Sequence, residues 1–372
     1  MPTILITGSS GFMGRNLATV LARREDVTVL GYDLDSDTEL SALIAAADVI
    51  FHLAGVNRPP DPSEYAAGNR DLTARVCELA AASGQRPTIV LSSSIQAELD
   101  NPYGISKLGA EEKLRAYAET TGAAGIVFRL PNVFGKWSRP NYNSAVATFC
   151  HNIARDLPIT VSDPAREMSL VYIDDVVASF VSLIDADQPP GFRYGAVEPV
   201  FQITLGAIVE KLQALRRSRD DLMLLDLSDP FHRRLLATYN AFLPEDGWAY
   251  ALQKRTDPRG SLAEFVKSQG AGQMFVSTTH PGVIRGNHYH HTKVEKFLVL
   301  SGEGEIRLRH IHSDTVHRIR VSGDDWRVVD IPPGYTHCIQ NVGATEMVTL
   351  FWASEIFDPE RPDTYFDEVD HG

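Results

Sequence analysis

At 372 residues the chain is too long for one small module and, at roughly 100 to 200 residues per domain, has room for two. Its 44% hydrophobic and 22% charged residues fall in the range of soluble globular proteins and exclude a disordered or fibrous class. A formal charge of −13, from 48 acids against 35 bases, argues against nucleic acid as the main partner but allows an anionic small molecule held by a local arginine.

The rhythm of the chain predicts two different halves. From Thr3 to about Ile184, short apolar runs alternate with longer helical patterns, as in a parallel sheet covered by helices on both faces. Strands are predicted at Thr3–Thr7, Val27–Gly31, Val49–Leu53, Thr88–Ser92 and Gly125–Leu130, and a helix at Thr204–Arg219. Phe242–Asp257 is mixed and punctuated by Pro244, Gly247 and Pro258, which places a boundary there. Residues 1–246 are expected to form a Rossmann-type α/β domain, and residues 247–372 an all-β one. In the latter, short alternating strands such as Lys296–Leu300, Glu305–His310 and Met347–Trp352 suggest a small antiparallel sandwich or barrel. Cys77, Cys150 and Cys338 are widely separated and form no C-x-x-C pair, which fits the reducing cytoplasm. No apolar segment reaches the roughly 18 residues of a membrane span, and the start lacks a basic n-region. Neither secretion nor membrane insertion is expected.

The first predicted strand runs into G-S-S-G-F-M-G, with Gly8, Gly11 and Gly14 ahead of a helical pattern. Glycines so placed allow a tight turn, a close backbone approach to a pyrophosphate and tight helix packing, with the phosphate at the helix N-terminus. An acid about 20 residues further on normally meets the ribose hydroxyls. Asp33, nineteen past Gly14, ends the second strand and favours NAD(H). The plainer alternative is a surface acid at a strand end, since Asp35 and Asp37 make the whole loop acidic.

Y-G-I-S-K puts Tyr103 and Lys107 four apart, on one helix face. An ammonium beside a phenol favours the phenolate, which would make Tyr103 a usable proton donor to a carbonyl under reduction. Upstream, L-S-S-S-I-Q ends a strand, and a hydroxyl there could hold the same oxygen, Ser94 first and Ser93 second. Together with H-L-A-G at His52–Gly55 and R-L-P-N-V-F-G at Arg129–Gly135, these motifs resemble the extended short-chain dehydrogenase/reductase family. The resemblance implies cofactor contacts at Gly8, Gly11, Gly14, Asp33, Ala54 and Pro131, and catalysis by Ser94, Tyr103 and Lys107. Arg129 reads as a structural strand residue.

Near the other end, G-V-I-R-G-N-H-Y-H-H-T-K-V-E places His288 and His290 two apart on a strand with Glu295 a short turn later. Alternate strand positions share a face, so two imidazoles and a carboxylate can converge on one metal ion, with His337 of P-P-G-Y-T-H-C-I-Q-N as a fourth ligand. Gly282, His288, His290, Glu295 and Gly302 resemble the first cupin motif, and Pro332, Gly334, His337 and Asn341 the second, with Trp326 standing where the second motif has a leading glycine. The donor set suits zinc, iron, nickel or manganese, and the resemblance favours zinc. R-G-S-L-A-E-F at Arg259–Phe265 and P-G-V-I-R-G-N-H-Y at Pro281–Tyr289 also resemble keto-sugar epimerases of the cupin class. Those use a histidine at the position of His288 as a base without metal, so His288 is asked to fill two roles. Their acidic tyrosine falls where this chain has Ile356 and Phe357.

N-R-P at Asn57–Pro59, P-N-Y-N-S at Pro140–Ser144 and H-H-T-K-V-E-K-F-L-V extend the similarity. The whole chain resembles the bifunctional epimerase-reductases of bacterial capsular-polysaccharide and O-antigen synthesis. That resemblance implies C3 epimerisation of a UDP-2-acetamido-2,6-dideoxy-4-ketohexose in the cupin half. NADPH- or NADH-dependent C4 reduction in the other half would then give UDP-2-acetamido-2,6-dideoxy-L-talose, with a homodimer as the assembly. The family's association with NADPH opposes the like charge of Asp33. A rival reading is a sugar-nucleotide epimerase or dehydratase whose cupin only binds ligand. Dehydration would need an acidic pair near Tyr103, whereas Glu98 and Asp100 are expected in a short mobile loop. A non-catalytic nucleotide sensor would not need Ser94, Tyr103 and Lys107 together.

Overall fold

The computed structural model describes residues 1–370. Their contacts divide the chain into two compact units, Met1–Leu212 with Arg233–Leu243, and Gln213–His232 with the chain from Pro244 on. Among the described residues, no helix is long and apolar enough to cross a membrane. All three cysteines are buried and free.

The first unit alternates strands β1 (Thr3–Thr7), β2 (Thr28–Tyr32), β3 (Val49–His52), β4 (Thr88–Ser94) and β5 (Ala124–Leu130) with helices α1 (Phe12–Leu21), α2 (Leu40–Ala46), α3 (Leu72–Ser83) and α4 (Pro102–Thr121). There follow β6 (Asn132–Phe134), α5 (Ala145–Ile153), β7 (Glu167–Tyr172), α6 (Ile173–Ser182), β8 (Gly191–Gly195), β9 (Phe201–Thr204), α7 (Leu205–Asp221) and α8 (Pro230–Asn240). The main sheet is parallel, in the order β2-β1-β3-β4-β5-β8. Its alternation is visible in β1. Ile4 and Ile6 pack with Leu17, Leu21 and Phe180 of α1 and α6, whereas Leu5 packs with Ile44, Val76 and Leu114 of α2, α3 and α4. Strand order reverses at β1, flanked by β2 and β3, and this leaves a crevice at the carboxyl ends of the strands, where such sheets bind ligands.

Two features depart from expectation. A small sheet, β6-β7-β9, was not legible as strands. Glu98 does not sit in a mobile loop but closes a 3-10 turn, Ile95–Glu98, and pairs with Arg129 at 2.8 Å.

The second unit holds β10 (Lys254–Asp257), β11 (Gly260–Ser268), β12 (Gly272–Thr279), β13 (Ile284–Tyr289), β14 (Glu295–Ser301) and β15 (Glu303–His310). It continues with β16 (Val316–Ser322), β17 (Val328–Ile331), β18 (Tyr335–Asn341), β19 (Met347–Ala353) and β20 (Tyr365–Phe366). They form two antiparallel sheets, β10-β11-β12-β19-β14-β17 and β16-β15-β18-β13-β20. Alternate residues of both sheets, among them Phe297, Val299, Phe351, Ile306, Leu308 and Ile339, meet in one core. This is the all-β architecture expected of the cupin half. The segment just past α7 belongs to this unit too: Lys267 N donates to Leu222 O at 2.8 Å, and Leu224 N to Lys267 O at 2.9 Å.

Candidate functional site

The turn after β1 is shaped by glycine. Gly8 has φ +73° and donates its N–H to Tyr32 O at 2.7 Å. A Cβ on Gly14 would come within 2.1 Å of Gly8 O, and one on Gly8 within 2.7 Å of Ala54 N, so neither position admits a side chain. Gly11 caps α1 without a side chain, leaving the first N–H groups of the helix for an anion. This cradle fits a dinucleotide pyrophosphate. Asp33 is more committed than its sequence position suggested, because Oδ2 accepts from Ser9 Oγ at 2.6 Å and Ser10 N at 3.0 Å. Ala54 N donates to Thr7 Oγ1 at 3.4 Å, and Pro131 lies half-buried just past β5. His52 braces the floor between Thr7 Oγ1 and Thr73 Oγ1, and its burial, with Lys107 nearby, pushes the imidazole down to about 3.

Ser94, Tyr103 and Lys107 come together at the carboxyl end of β4 and the first turns of α4. Asn101 starts that helix by accepting Gly104 N at 2.8 Å, with Pro102 in the first turn. Lys107 Nζ donates to Ser92 O at 3.2 Å and lies 5.8 Å from the centre of the Tyr103 ring. Burial pulls this lysine down to about 8, against the opposing effect of Glu111. The expectation that an ammonium would favour the Tyr103 phenolate is corrected here. Burial raises the phenol above its ordinary value, outweighing the hydrogen bond with Ser94, and Tyr65 adds to the rise. Tyr103 is therefore held as a neutral proton donor. Ser93, the second choice for the hydroxyl, is committed to Glu111 Oε1 at 2.5 Å. Glu111 also binds Arg129 at 2.7 Å and Tyr194 at 3.0 Å, which gives Arg129 a structural partner.

Sequence reasoning missed two asparagines. Asn69 lies in a π-helical turn, Ala66–Asp71, and grips Val56 from both sides: Oδ1 accepts Val56 N and Nδ2 donates to Val56 O, each at 3.0 Å. Its Nδ2 also reaches Ser106 Oγ at 3.0 Å. Asn57 accepts the Tyr103 hydroxyl through Oδ1 at 3.0 Å. No spacing rule pointed to either residue, although N-R-P had marked the stretch containing Asn57.

In the second unit, donor atoms of His288, His290, Glu295 and His337 lie within 4.8 Å of one another. A bulge between Gly286 and His288 turns β13 so that His288 faces His337 across the ladder, and His290 follows one residue past the strand end. His290 Nδ1 donates to Asp363 O at 2.5 Å and His337 Nδ1 to Tyr335 O at 3.2 Å. With Nδ1 so engaged, each ring turns its Nε2 inward. Those two Nε2 atoms are buried without a hydrogen-bond partner, yet lie 3.3 and 3.2 Å from Glu295 Oε2. Imidazole nitrogens and a carboxylate oxygen converging in a buried space fit a divalent cation. Burial alone would raise the Glu295 carboxyl, but the two imidazoles hold it well below the ordinary carboxylate range. Burial and the neighbouring His337 push His288 down to about 3.

Asp363 was also missed. Its carboxylate accepts the backbone N–H groups of His291, Thr292 and Lys293, each at 2.9 Å, and Thr292 Oγ1 at 3.0 Å. The loop between His290 and Glu295 is thus wound around one side chain. Phe357 stands partly exposed with no hydroxyl to offer, and Trp326 is exposed in the link between β16 and β17.

Residues 4–194 match the NAD dependent epimerase/dehydratase family, just over half of the chain. The chain belongs to that family. Residues 255–365 of this epimerase/dehydratase family member match the polysaccharide biosynthesis C-terminal domain. It is 46% identical, over 99% of both chains, to the UDP-2-acetamido-2,6-beta-L-arabino-hexul-4-ose reductase of Pseudomonas aeruginosa. Among solved structures it is similar to the capsular polysaccharide assembling protein CapF from Staphylococcus aureus, with 46% identity, a TM-score of 0.91 and 98% and 100% of the two chains covered. The UDP-glucuronic acid 4-epimerase of Bacillus cereus, at 18% identity and a TM-score of 0.55 over 64% of this chain and 98% of its own, shares the fold of the first unit.

Proposed function

We propose that the chain is a bifunctional sugar-nucleotide enzyme that inverts C3 of a UDP-2-acetamido-2,6-dideoxy-4-ketohexose and then reduces its C4 ketone. The product is UDP-2-acetamido-2,6-dideoxy-L-talose. Reduction belongs to residues 1–246 and epimerisation to residues 247–372. The observation that carries this reading is Ser94, Tyr103 and Lys107 gathered beside a glycine turn, in a chain whose full-length relative is named as a keto-sugar reductase.

Gly8, Gly11, Gly14, Asp33, Ala54 and Pro131 would hold the nicotinamide nucleotide, NADPH or NADH. Bound in reduced form, it would supply hydride. Ser94 holds the ketone oxygen, Tyr103 gives it a proton, and Lys107 keeps a positive charge beside the ribose and phenol. His288, His290, Glu295 and His337 would hold zinc, which would supply Lewis acidity at the ketone or brace the barrel. The C4 ketone acidifies the C3 proton, so a base can remove it and an acid can return a proton on the other face. His288, neutral in its buried setting, has the protonation state of a base. Resemblance supports a homodimer working in the cytoplasm.

Dehydration, the rival, finds less support because the nearby acids are engaged: Glu98 pairs with Arg129, and Glu111 is buried against Ser93 and Arg129. Incubation with the 4-ketosugar in deuterated water tests the proposal. Deuterium should enter at C3 without nucleotide, and the reduced sugar should appear only when NADPH or NADH is added. Loss of water without nucleotide consumption would overturn it.

A further inference from the structure

The phenol that must give up a proton during reduction donates its hydrogen bond to Asn57 Oδ1, at 3.0 Å. Asn57 is held in place from several directions. Its predecessor Val56 is clamped through N–H and carbonyl by Asn69, and its own carbonyl accepts the Tyr65 hydroxyl at 3.2 Å. The Tyr65 ring lies 5.6 Å from that of Tyr103. Asn69 also donates to Ser106 Oγ, which in turn donates to Tyr103 O at 2.7 Å. One asparagine thus fixes both the backbone of Tyr103 and the loop that carries the partner of its hydroxyl. A side chain so supported is preorganised toward the phenol.

We propose that Asn57 is a positioning residue for Tyr103 during ketone reduction, a role that rests on the reductase reading above. In the resting enzyme its amide oxygen takes the phenolic hydrogen and keeps the hydroxyl at the catalytic end of α4. When the substrate ketone arrives, its oxygen replaces Oδ1 as the acceptor. Hydride adds to C4, the C=O π pair moves onto oxygen, and that oxygen takes the proton of Tyr103 Oη; the nicotinamide is oxidised and a phenolate is left. The same amide, turned by a half-rotation, donates through Nδ2 to this phenolate until solvent returns the proton. A carboxamide can accept from the phenol and donate to the phenolate. Leucine can do neither, and an aspartate can only accept and repels the phenolate.

The test compares wild type, Asn57→Leu, Asn57→Asp and Tyr103→Phe in the reduction of the epimerised 4-ketosugar at saturating NADPH across pH. Circular dichroism checks that each variant is folded. Asn57→Leu should lower kcat about tenfold or more with KM within about twofold, because the lost interaction belongs to the chemical step. Asn57→Asp should lower kcat and move the alkaline limb to higher pH, since a carboxylate disfavours the phenolate. A titration of 13C-labelled tyrosine in the free enzyme should show the same upward shift of the Tyr103 resonance, independently of substrate. A merely structural role would weaken binding and leave the limb and the resonance unmoved, and that result overturns the proposal, as does a wild-type kcat in Asn57→Leu. The two readings fail separately. A Tyr103→Phe variant that still reduces the ketone removes the reductase assignment and this role with it, whereas an inactive Tyr103→Phe beside fully active Asn57 variants removes only the role.

Discussion

Lys107 sits beneath Ser92 with its ammonium taken out of water, and burial brings it down to about 8. Its charge is therefore lost as pH rises through about 8. The folded protein releases this proton near 8, whereas the unfolded chain holds it to about 10.5, so between these values unfolding takes up a proton and stability rises with pH. Function moves the other way. The kcat/KM for the nicotinamide nucleotide, which reports the free enzyme, should fall as pH rises through about 8. A parameter that stays level across that region would separate Lys107 from nucleotide binding. Asp33 supports a second prediction at this scale. Asp33→Ala removes the acceptor of Ser9 Oγ and Ser10 N as well as the carboxylate that opposes a 2′-phosphate. Affinity for NADH should drop about tenfold as one charge-assisted pair of hydrogen bonds is lost, with preference shifting toward NADPH. Steady-state KM values for both nucleotides check it; an unchanged ratio would turn Asp33 into a brace of the turn alone. Residue chemistry of this kind was half legible. Spacing picked out Tyr103 with Lys107, because one helical turn relates them. It missed Asn57, Asn69 and Asp363, whose partners are 46, 37 and 73 residues away at Tyr103, Ser106 and His290.

At the scale of elements, the candidate metal cluster His288, His290, Glu295 and His337 depends on a segment that supplies none of its side-chain donors. β20 pairs with β13 at His288 and Tyr289, Asp363 holds the loop from His291 to Lys293, and Arg309 binds Asp367 at 2.8 Å on the same segment. Asp363→Ala should loosen the loop between His290 and Glu295 and weaken zinc binding about 10- to 100-fold, the range for a lost outer-shell partner. Asp363→Asn, which keeps one acceptor, should fall between. Competition with a chelating dye measures both, and an unchanged affinity would leave Asp363 a loop brace only. The strands themselves were legible wherever apolar residues formed a continuous run or a strict alternation. β1 was expected with its observed ends, and β4, β14 and β19 to within two residues at either end. β6 and β20 were not, since three- and two-residue strands carry no period to read. The bulge that turns His288 and His290 toward one another arises from Gly286 and Asn287 at positive φ, a backbone property that residue spacing does not reveal.

For the whole molecule, the two chemistries proposed on one ketone make a separable pair of activities, and removal of the proposed metal is the means of separating them. Chelation, or His290→Ala, should leave reduction of an already epimerised ketone near the wild-type rate, because Ser94, Tyr103 and Lys107 belong to the other unit. The second unit should lose thermal stability, since emptying the proposed site leaves Glu295 Oε2 and His337 Nε2 buried 3.2 Å apart with no cation between them. Deuterium exchange at C3 then decides what the ion does. If exchange falls while circular dichroism shows the sheets intact, the cation polarises the ketone. If exchange survives, the cation braces the barrel and His288, neutral in its buried setting, is free to take the proton itself. Elemental analysis of wild type that finds no metal after reconstitution would remove the ligand role of His288, His290, Glu295 and His337 altogether, and the epimerase would then stand on His288 as base alone.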